Sequence, residues 1–189
     1  MISQAITQTL FKKNLQKGDK LRSLEDFSDL YDQYHRQVRS VLYRMGAKEE
    51  LDDLVQEVFL KVWQALPTFK GKSRFSTWIY RIAMNTAIDR FRKLKTRGGP
   101  AEQLDEEKTS GNEHYDAQVE NTENQQLISD ALGELNEEQR SVLVLHLMEG
   151  KKLKEVAKIL ELPLGTVKSR LHYAKQSMQG YLSDRGVCL

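Results

Sequence analysis

Phe75-Ser76-Thr77-Trp78-Ile79-Tyr80-Arg81-Ile82-Ala83-Met84-Asn85-Thr86-Ala87-Ile88-Asp89-Arg90-Phe91-Arg92 is the stretch on which the fold turns. At about 100° per residue, Phe75, Ile79, Ile82, Ala83 and Thr86 gather on one side of a helix. Arg74, Thr77, Trp78, Arg81, Asn85, Asp89 and Arg92 gather on the other. A solvated helix face usually interleaves Glu with Lys to gain small pair energies. This face sets one acid among several cations. An exposed Trp beside Arg and Asn suits stacking on bases, with the cations on phosphates. The alternative is a charged solvent face with Trp78 tucked against the edge of the core, and the helix alone leaves both open.

The preceding loop adds chemistry. Phe69, Lys70, Gly71, Lys72 and Ser73 place an aromatic ring, two cations, an unencumbered backbone and a hydroxyl within one turn. Such a loop suits a base drawn out of a duplex, with hydrogen bonds and ring contact offsetting the lost stacking. Phe69 as a plain anchor on the core is the competing reading. Ser73 is the expected N-cap of the long helix.

Working outward, the chain is helical on both sides. Phe27, Leu30, Tyr31, Tyr34, Val38, Val41, Leu42 and Met45 recur three and four apart and predict a helix stopping near Gly46. Leu51, Leu54, Val55, Val58, Phe59 and Val62 predict a second, closed by Pro67, with Asp52 and Asp53 suited to its positive end. Downstream, Leu127, Ile128, Ala131, Leu132 and Leu135 form a short helix. Asn136 with Gln139 has capping-box spacing and opens a helix running to Gly150. Leu153 to Leu160, the turn Leu162-Pro163-Leu164-Gly165 and a last helix capped by Thr166 describe a helix-turn-helix. On that last helix Val167, Leu171, Ala174, Met178 and Leu182 form the inner stripe. Lys168, Ser169, His172, Tyr173 and Gln176 face out, flanked by Arg170 and Lys175. Such shapes also serve as plain packing units, but the cationic outer face favours DNA. No strand pattern of any length occurs, so the predicted fold is all-α.

Charge is segregated along the chain. The 189 residues hold 29 Lys and Arg against 27 Asp and Glu, a net charge of only +2. Yet Lys70 to Arg97 is opposed only by Asp89, while Ala101 to Asn124 carries eight acids against Lys108 alone. The second stretch lacks helical periodicity and reads as an acidic linker between two folded pieces. The expected organisation is an N-terminal extension over 1–23, a basic helical module over 24–97, the linker over 98–125 and a helix-turn-helix module over 126–185. At 39% hydrophobic residues, any single core is modest. No apolar run spans a membrane and none follows Lys12, Lys13 and Lys17, which points to the cytoplasm. A lone Cys188 excludes a disulfide framework or a CxxC metal site. His35, His114, His146 and His172 show no metal spacing, and no Gly-rich phosphate loop is present. Catalysis therefore finds little support, and neither a metal nor a cofactor is expected.

At this point the residues match a family. Asp52-Asp53-Leu54-Val55-Gln56-Glu57-Val58-Phe59, then Phe69-Lys70-Gly71, then Phe75 through Asn85, resemble region two of extracytoplasmic-function sigma factors, in their sigma-E-like branch. Leu162-Pro163-Leu164-Gly165-Thr166-Val167-Lys168-Ser169-Arg170-Leu171 resembles their region-four recognition element. The resemblance implies a bacterial initiation subunit that binds core RNA polymerase, at the clamp helices of β′ and the flap of β, and directs it to promoter DNA. It places core binding on Asp53, Gln56, Glu57 and Lys61. It places −10 recognition on Phe69, Lys70, Gly71, Lys72, Ser73 and Arg74 and, along the helix, on Trp78, Arg81, Asn85, Asp89 and Arg92. The −35 reader maps to Thr166, Lys168, Ser169, Arg170, His172, Tyr173 and Lys175. Tyr173 and Lys168 stand where relatives commonly carry Arg, so neither position offers a planar fork to guanine. The family further implies an anti-sigma partner. A stand-alone helix-turn-helix regulator is the alternative, and it gives the basic Trp78 helix no role.

Overall fold

The structure, a computed structural model, describes residues 24–96 and 122–187. The N-terminal extension, the acidic linker up to residue 121 and Cys188 lie outside the described residues. Seven α-helices follow one another among the described residues, without a strand: α1 (Leu24–Arg44), α2 (Leu51–Ala65), α3 (Phe75–Thr96), α4 (Thr122–Gly133), α5 (Glu137–Leu143), α6 (Leu153–Leu160) and α7 (Leu164–Ser183).

In the first module the apolar stripes meet as their spacing requires. Leu30, Tyr34, Val38, Val41, Leu42 and Met45 of α1 and its end are buried, as are all six stripe residues of α2. From α3 come Phe75, Ile79, Ala83 and Thr86, with Ile82 half-buried. Burying each large aliphatic chain is worth about 1.5–3 kcal/mol, so this three-way contact dominates the module's stability. Gly46 adopts a φ of +102°, and the Ala47 N–H donates back to the Leu42 carbonyl at 3.1 Å. This ends α1 where Gly46 stands in the sequence. Pro67 does not stop α2 sharply: it sits inside a 3₁₀ turn, Leu66–Thr68, whose first positions need no N–H.

The second module wraps α4, α5 and α6 around α7. The Asn136 side chain accepts the Gln139 N–H at 2.9 Å, as the cap spacing anticipates. The helix expected to reach Gly150 does so through a change of pitch. Its last turn, Val144–Met148, is a π-helix, with the Glu149 N–H donating to Val144 O at 3.0 Å. Single π turns of this kind re-aim the side chains that follow them.

Three local expectations are corrected. Helix α3 begins at Phe75, which leaves Ser73 outside its N-cap position. Pro163, not Thr166, precedes the first turn of α7, because proline's fixed φ and missing N–H suit that boundary. Thr77 is buried instead of facing out. Of the two placements the helix pattern leaves open for Trp78, the structure has the ring half-buried against the core. The two folded pieces lie against each other. Helix α3 packs on α6, α1 packs on the π turn, and the buried apolar cluster runs continuously from Leu30 to Ala174.

Replacing Ile79 by Ala should cost about 2–5 kcal/mol, since the site is fully closed and cannot collapse. Asn136→Ala should cost about 1 kcal/mol through the lost cap. Urea unfolding followed by far-ultraviolet circular dichroism would read both, and equal midpoints for the two variants would contradict this ranking.

Candidate nucleic-acid interface

The loop between α2 and α3 is built around stacked rings. Thr68 Oγ1 donates to Ala65 O at 2.8 Å, which tightens the 3₁₀ turn and turns the chain outward at Phe69. The Phe69 ring lies 4.9 Å from Trp78 and 5.6 Å, edge-on, from Phe75. Phe75 in turn lies 5.4 Å from Tyr34. Phe69 and Trp78 thus anchor on the core and still present ring surface, so both readings of these residues hold in part. Gly71 takes the left-handed φ of +66° that reverses the loop. Around the rings, Thr68, Phe69, Lys70, Lys72, Ser73, Trp78 and Arg81 line an open cavity of about 220 Å³. It has an aromatic floor, a cationic rim and two hydroxyls, which is chemistry for a flat heterocycle joined to phosphate.

Further along α3, Asn85 and Asp89 are exposed and lie on the same side as Arg81, with Arg92 at the far end. Arg74 is 84% exposed, its nearest carboxylate Glu155 at 3.8 Å. Arg81 is committed. It donates to Lys158 O at 2.7 Å and pairs with Glu161 at 2.7 Å, while its Nε is buried without a partner.

The outer face of α2 carries the second group of expected residues. Asp53 and Gln56 are exposed, and Glu57 pairs with Lys61 at 2.7 Å. Lys61 also donates to the buried Thr86 Oγ1 at 3.1 Å, so it is tied down onto α3. Beside them Leu60 and Trp63 stand 56% and 40% exposed. Neither belongs to the expected set, though both are apolar residues off the buried stripe of α2, which is the signal that marks them. Trp63 stacks edge-on with Phe27 at 4.9 Å, which extends an apolar surface onto α1.

In the helix-turn-helix, α6 ends at Glu161, a non-glycine residue at φ +55°, and Leu162 N–H donates to Ala157 O at 3.0 Å. Lys168, His172, Tyr173 and Lys175 project from α7, with the rings of His172 and Tyr173 edge to face at 5.6 Å. The remaining expected residues point their groups elsewhere. Thr166 is half-buried, and its carbonyl accepts the Ser169 hydroxyl at 3.0 Å. Arg170 pairs with Glu138 at 2.7 Å and lies along α5. Among the described residues no three of His, Cys, Asp and Glu gather into a set able to hold a metal ion. No helix of these residues is long and apolar enough to cross a membrane.

Comparison with known proteins agrees with this layout. Residues 30–97 match the family model of sigma-70 region 2 and residues 125–178 that of sigma-70 region 4. The chain is 30% identical to the ECF RNA polymerase sigma-E factor of Haemophilus influenzae, covering 94% of this chain and 96% of that protein. It is 34% identical to the ECF RNA polymerase sigma factor SigW of Bacillus subtilis, covering 91% and 95%. Among solved structures, the sigma factor RpoE held by the anti-sigma factor NepR from Bartonella quintana superposes with a TM-score of 0.65. That match has 24% identity and covers 85% of this chain and 98% of that one. CnrH, in complex with the cytosolic domain of CnrY, superposes with 0.64 at 21% identity, covering 93% and 96%. Two family models in the order of the two modules, and relatives aligned over nearly their whole length, place this chain in the extracytoplasmic-function family of RNA polymerase sigma factors.

Proposed function

We propose that this sigma factor reads promoters with two separate surfaces, and that the cavity walled by Phe69 and Trp78 is where it captures a −10 base. The cavity carries the reading: it joins stacking surface, hydroxyls and cations within one loop and the first turns of α3. In this reading residues 24–97 form the polymerase- and −10-binding unit, residues 98–125 the tether and residues 126–185 the −35 unit. A base of the non-template strand leaves the stack, lies on the Phe69–Trp78 rings and is held by Ser73 and the loop backbone. Lys70, Lys72 and Arg74 take the flanking phosphates. Asn85, with Arg81 and Asp89, reads the neighbouring position, and Arg92 follows the backbone. Melting then needs no nucleotide hydrolysis by this chain, because captured bases and polymerase contacts offset the few kcal/mol of each unstacked step.

Lys168, His172, Tyr173 and Lys175 enter the −35 major groove, while Arg170 holds α7 to α5 through Glu138. Lys168 acts as a point charge, and Tyr173 offers a ring for thymine methyl contact. Asp53, Gln56 and Glu57, with exposed Leu60 and Trp63 on the next turns of α2, make the core-polymerase surface. Exposed aromatic and aliphatic residues beside polar ones are what a protein interface uses. An anti-sigma factor is the remaining partner, supported by the likeness in fold to a sigma factor solved with one. Two weak contacts joined by a tether on one polymerase raise each other's effective concentration, which gives specificity without tight binding by either module.

Phe69→Ala and Asn85→Ala should leave polymerase binding intact and impair open-complex formation; permanganate footprints equal to those of the unmodified chain would refute the cavity assignment. Lys168→Ala should weaken −35-dependent initiation by about 1–3 kcal/mol, and unchanged promoter preference would remove Lys168 from the reader. Reversing Asp53 and Glu57 together should reduce capture of core polymerase at unchanged helicity. Normal capture in a pull-down would move the docking surface elsewhere.

A further inference from the structure

Helix α7 carries a single arginine, Arg170, and the fold turns it aside from the outer face of that helix. Helical spacing sets it about 60° around the axis from exposed Tyr173, on the flank that leads to buried Ala174. Its Nη2 pairs with Glu138 Oε2 at 2.7 Å; the arginine side chain is 23% exposed and the carboxylate side chain 59%. Glu138 is held in place by its own helix. It stands in the first turn of α5, where Asn136 caps the backbone and the Ser141 hydroxyl donates to Glu138 O at 2.8 Å.

The pair sits at the rim of a contact that is already apolar. Val142 and Leu143 of α5 and Val167, Leu171 and Ala174 of α7 are buried where the two helices pack. Beside such burial, an ion pair with one partner more than half exposed adds little stability. What it does fix is the direction of the guanidinium. Released from Glu138, the long Arg170 side chain could swing from the flank of α7 toward the wall of a groove. It would meet a phosphate there and not a base edge, because base edges lie opposite the outer residues Ser169, His172 and Tyr173.

We propose that Glu138 is a specificity-determining residue: it withholds Arg170 from the DNA backbone and so keeps the sequence-independent hold of α7 weak. The proposal rests on α7 being the DNA-facing helix, as in the function proposed above. A phosphate contact strengthens binding to every sequence alike and adds no discrimination. A guanidinium cannot be silenced by losing its proton, so a fixed carboxylate beside it is the means available. Glu138 supplies that carboxylate from within the module and leaves Lys168 and Lys175 as the cations facing DNA. A tethered reader gains from this, because a weak general hold lets wrong sites go while two contacts together retain the right one.

The full chain by itself allows the test, because Lys168, His172 and Tyr173 are exposed in it. Binding to a fluorescein-labelled duplex of mixed sequence is followed by anisotropy across a salt series. Glu138→Gln should tighten binding several-fold and steepen the fall of log K with log salt by about 0.9, the effect of one added phosphate contact. The same substitution made in an Arg170→Gln background should do neither. A gain that survives Arg170→Gln is the bare loss of a negative charge and overturns the proposal, as does unchanged or weaker binding by Glu138→Gln. A pair that served packing alone would weaken binding and lower the melting temperature together. Lys168→Ala on the same duplex separates this proposal from the one beneath it. Weaker binding there, with no response to Glu138→Gln, removes the role of Glu138 and leaves α7 as the DNA face. No response in either variant takes α7 itself off the DNA.

Discussion

Everything in the first module depends on the burial of one stripe of α3. Ile79 and Ala83 are wholly excluded from solvent where α3 packs on α1 and α2, and Phe75 closes the end of the same stripe. Because a helix has fixed angular spacing, committing that stripe to the core fixes the direction of every other α3 side chain. Arg81, Asn85 and Asp89 then have no choice of face. Phe75 also sets the position of Trp78, at 5.2 Å, and of Phe69, at 5.6 Å, so the cavity wall is an extension of the core. The surface proposed to meet the −10 element is held by the same packing that folds the module.

The second module solves the same problem with a shorter helix and more help from its neighbours. Helix α7 buries Val167, Leu171, Ala174 and Leu182, holds Arg170 against Glu138 and leaves the rest of its surface exposed. In the reading proposed above, the cations this face would bring to DNA, Lys168 and Lys175, are lysines. Recognition would then lean on shape and point charge more than on bidentate pairing.

Where the modules meet, the chemistry changes character. Buried apolar groups do continue across the junction, but the groups aimed across it are Arg44, Tyr80, Arg81, Arg140, Glu149 and Glu161. Arg140 donates to Met45 O at 2.9 Å and lies against Gly46, where an added Cβ would come within 2.8 Å of its Nη1. Burial pushes the Arg140 guanidinium below its ordinary value, and the Met45 carbonyl is part of what keeps it satisfied. Such contacts are specific in geometry and modest in net strength.

The amino-acid sequence by itself determined the helices, their buried stripes and the order of the two modules. Those follow from the spacing of apolar residues and from local signals such as Gly46 and Asn136, which act within a few residues of themselves. It also marked the loop at Phe69–Ser73 and the outward residues of α7, because residue type and helical angle are both local. Tertiary structure alone decided that Trp78 leans into the core, that Lys61 is tied to Thr86, and that Arg170 serves packing. It alone paired Arg81 with Glu161 and gathered Arg44, Tyr80 and Ser40 around Glu149. Each of these joins residues far apart in the chain, so no periodicity contains them; they exist only once the core has fixed two surfaces opposite each other.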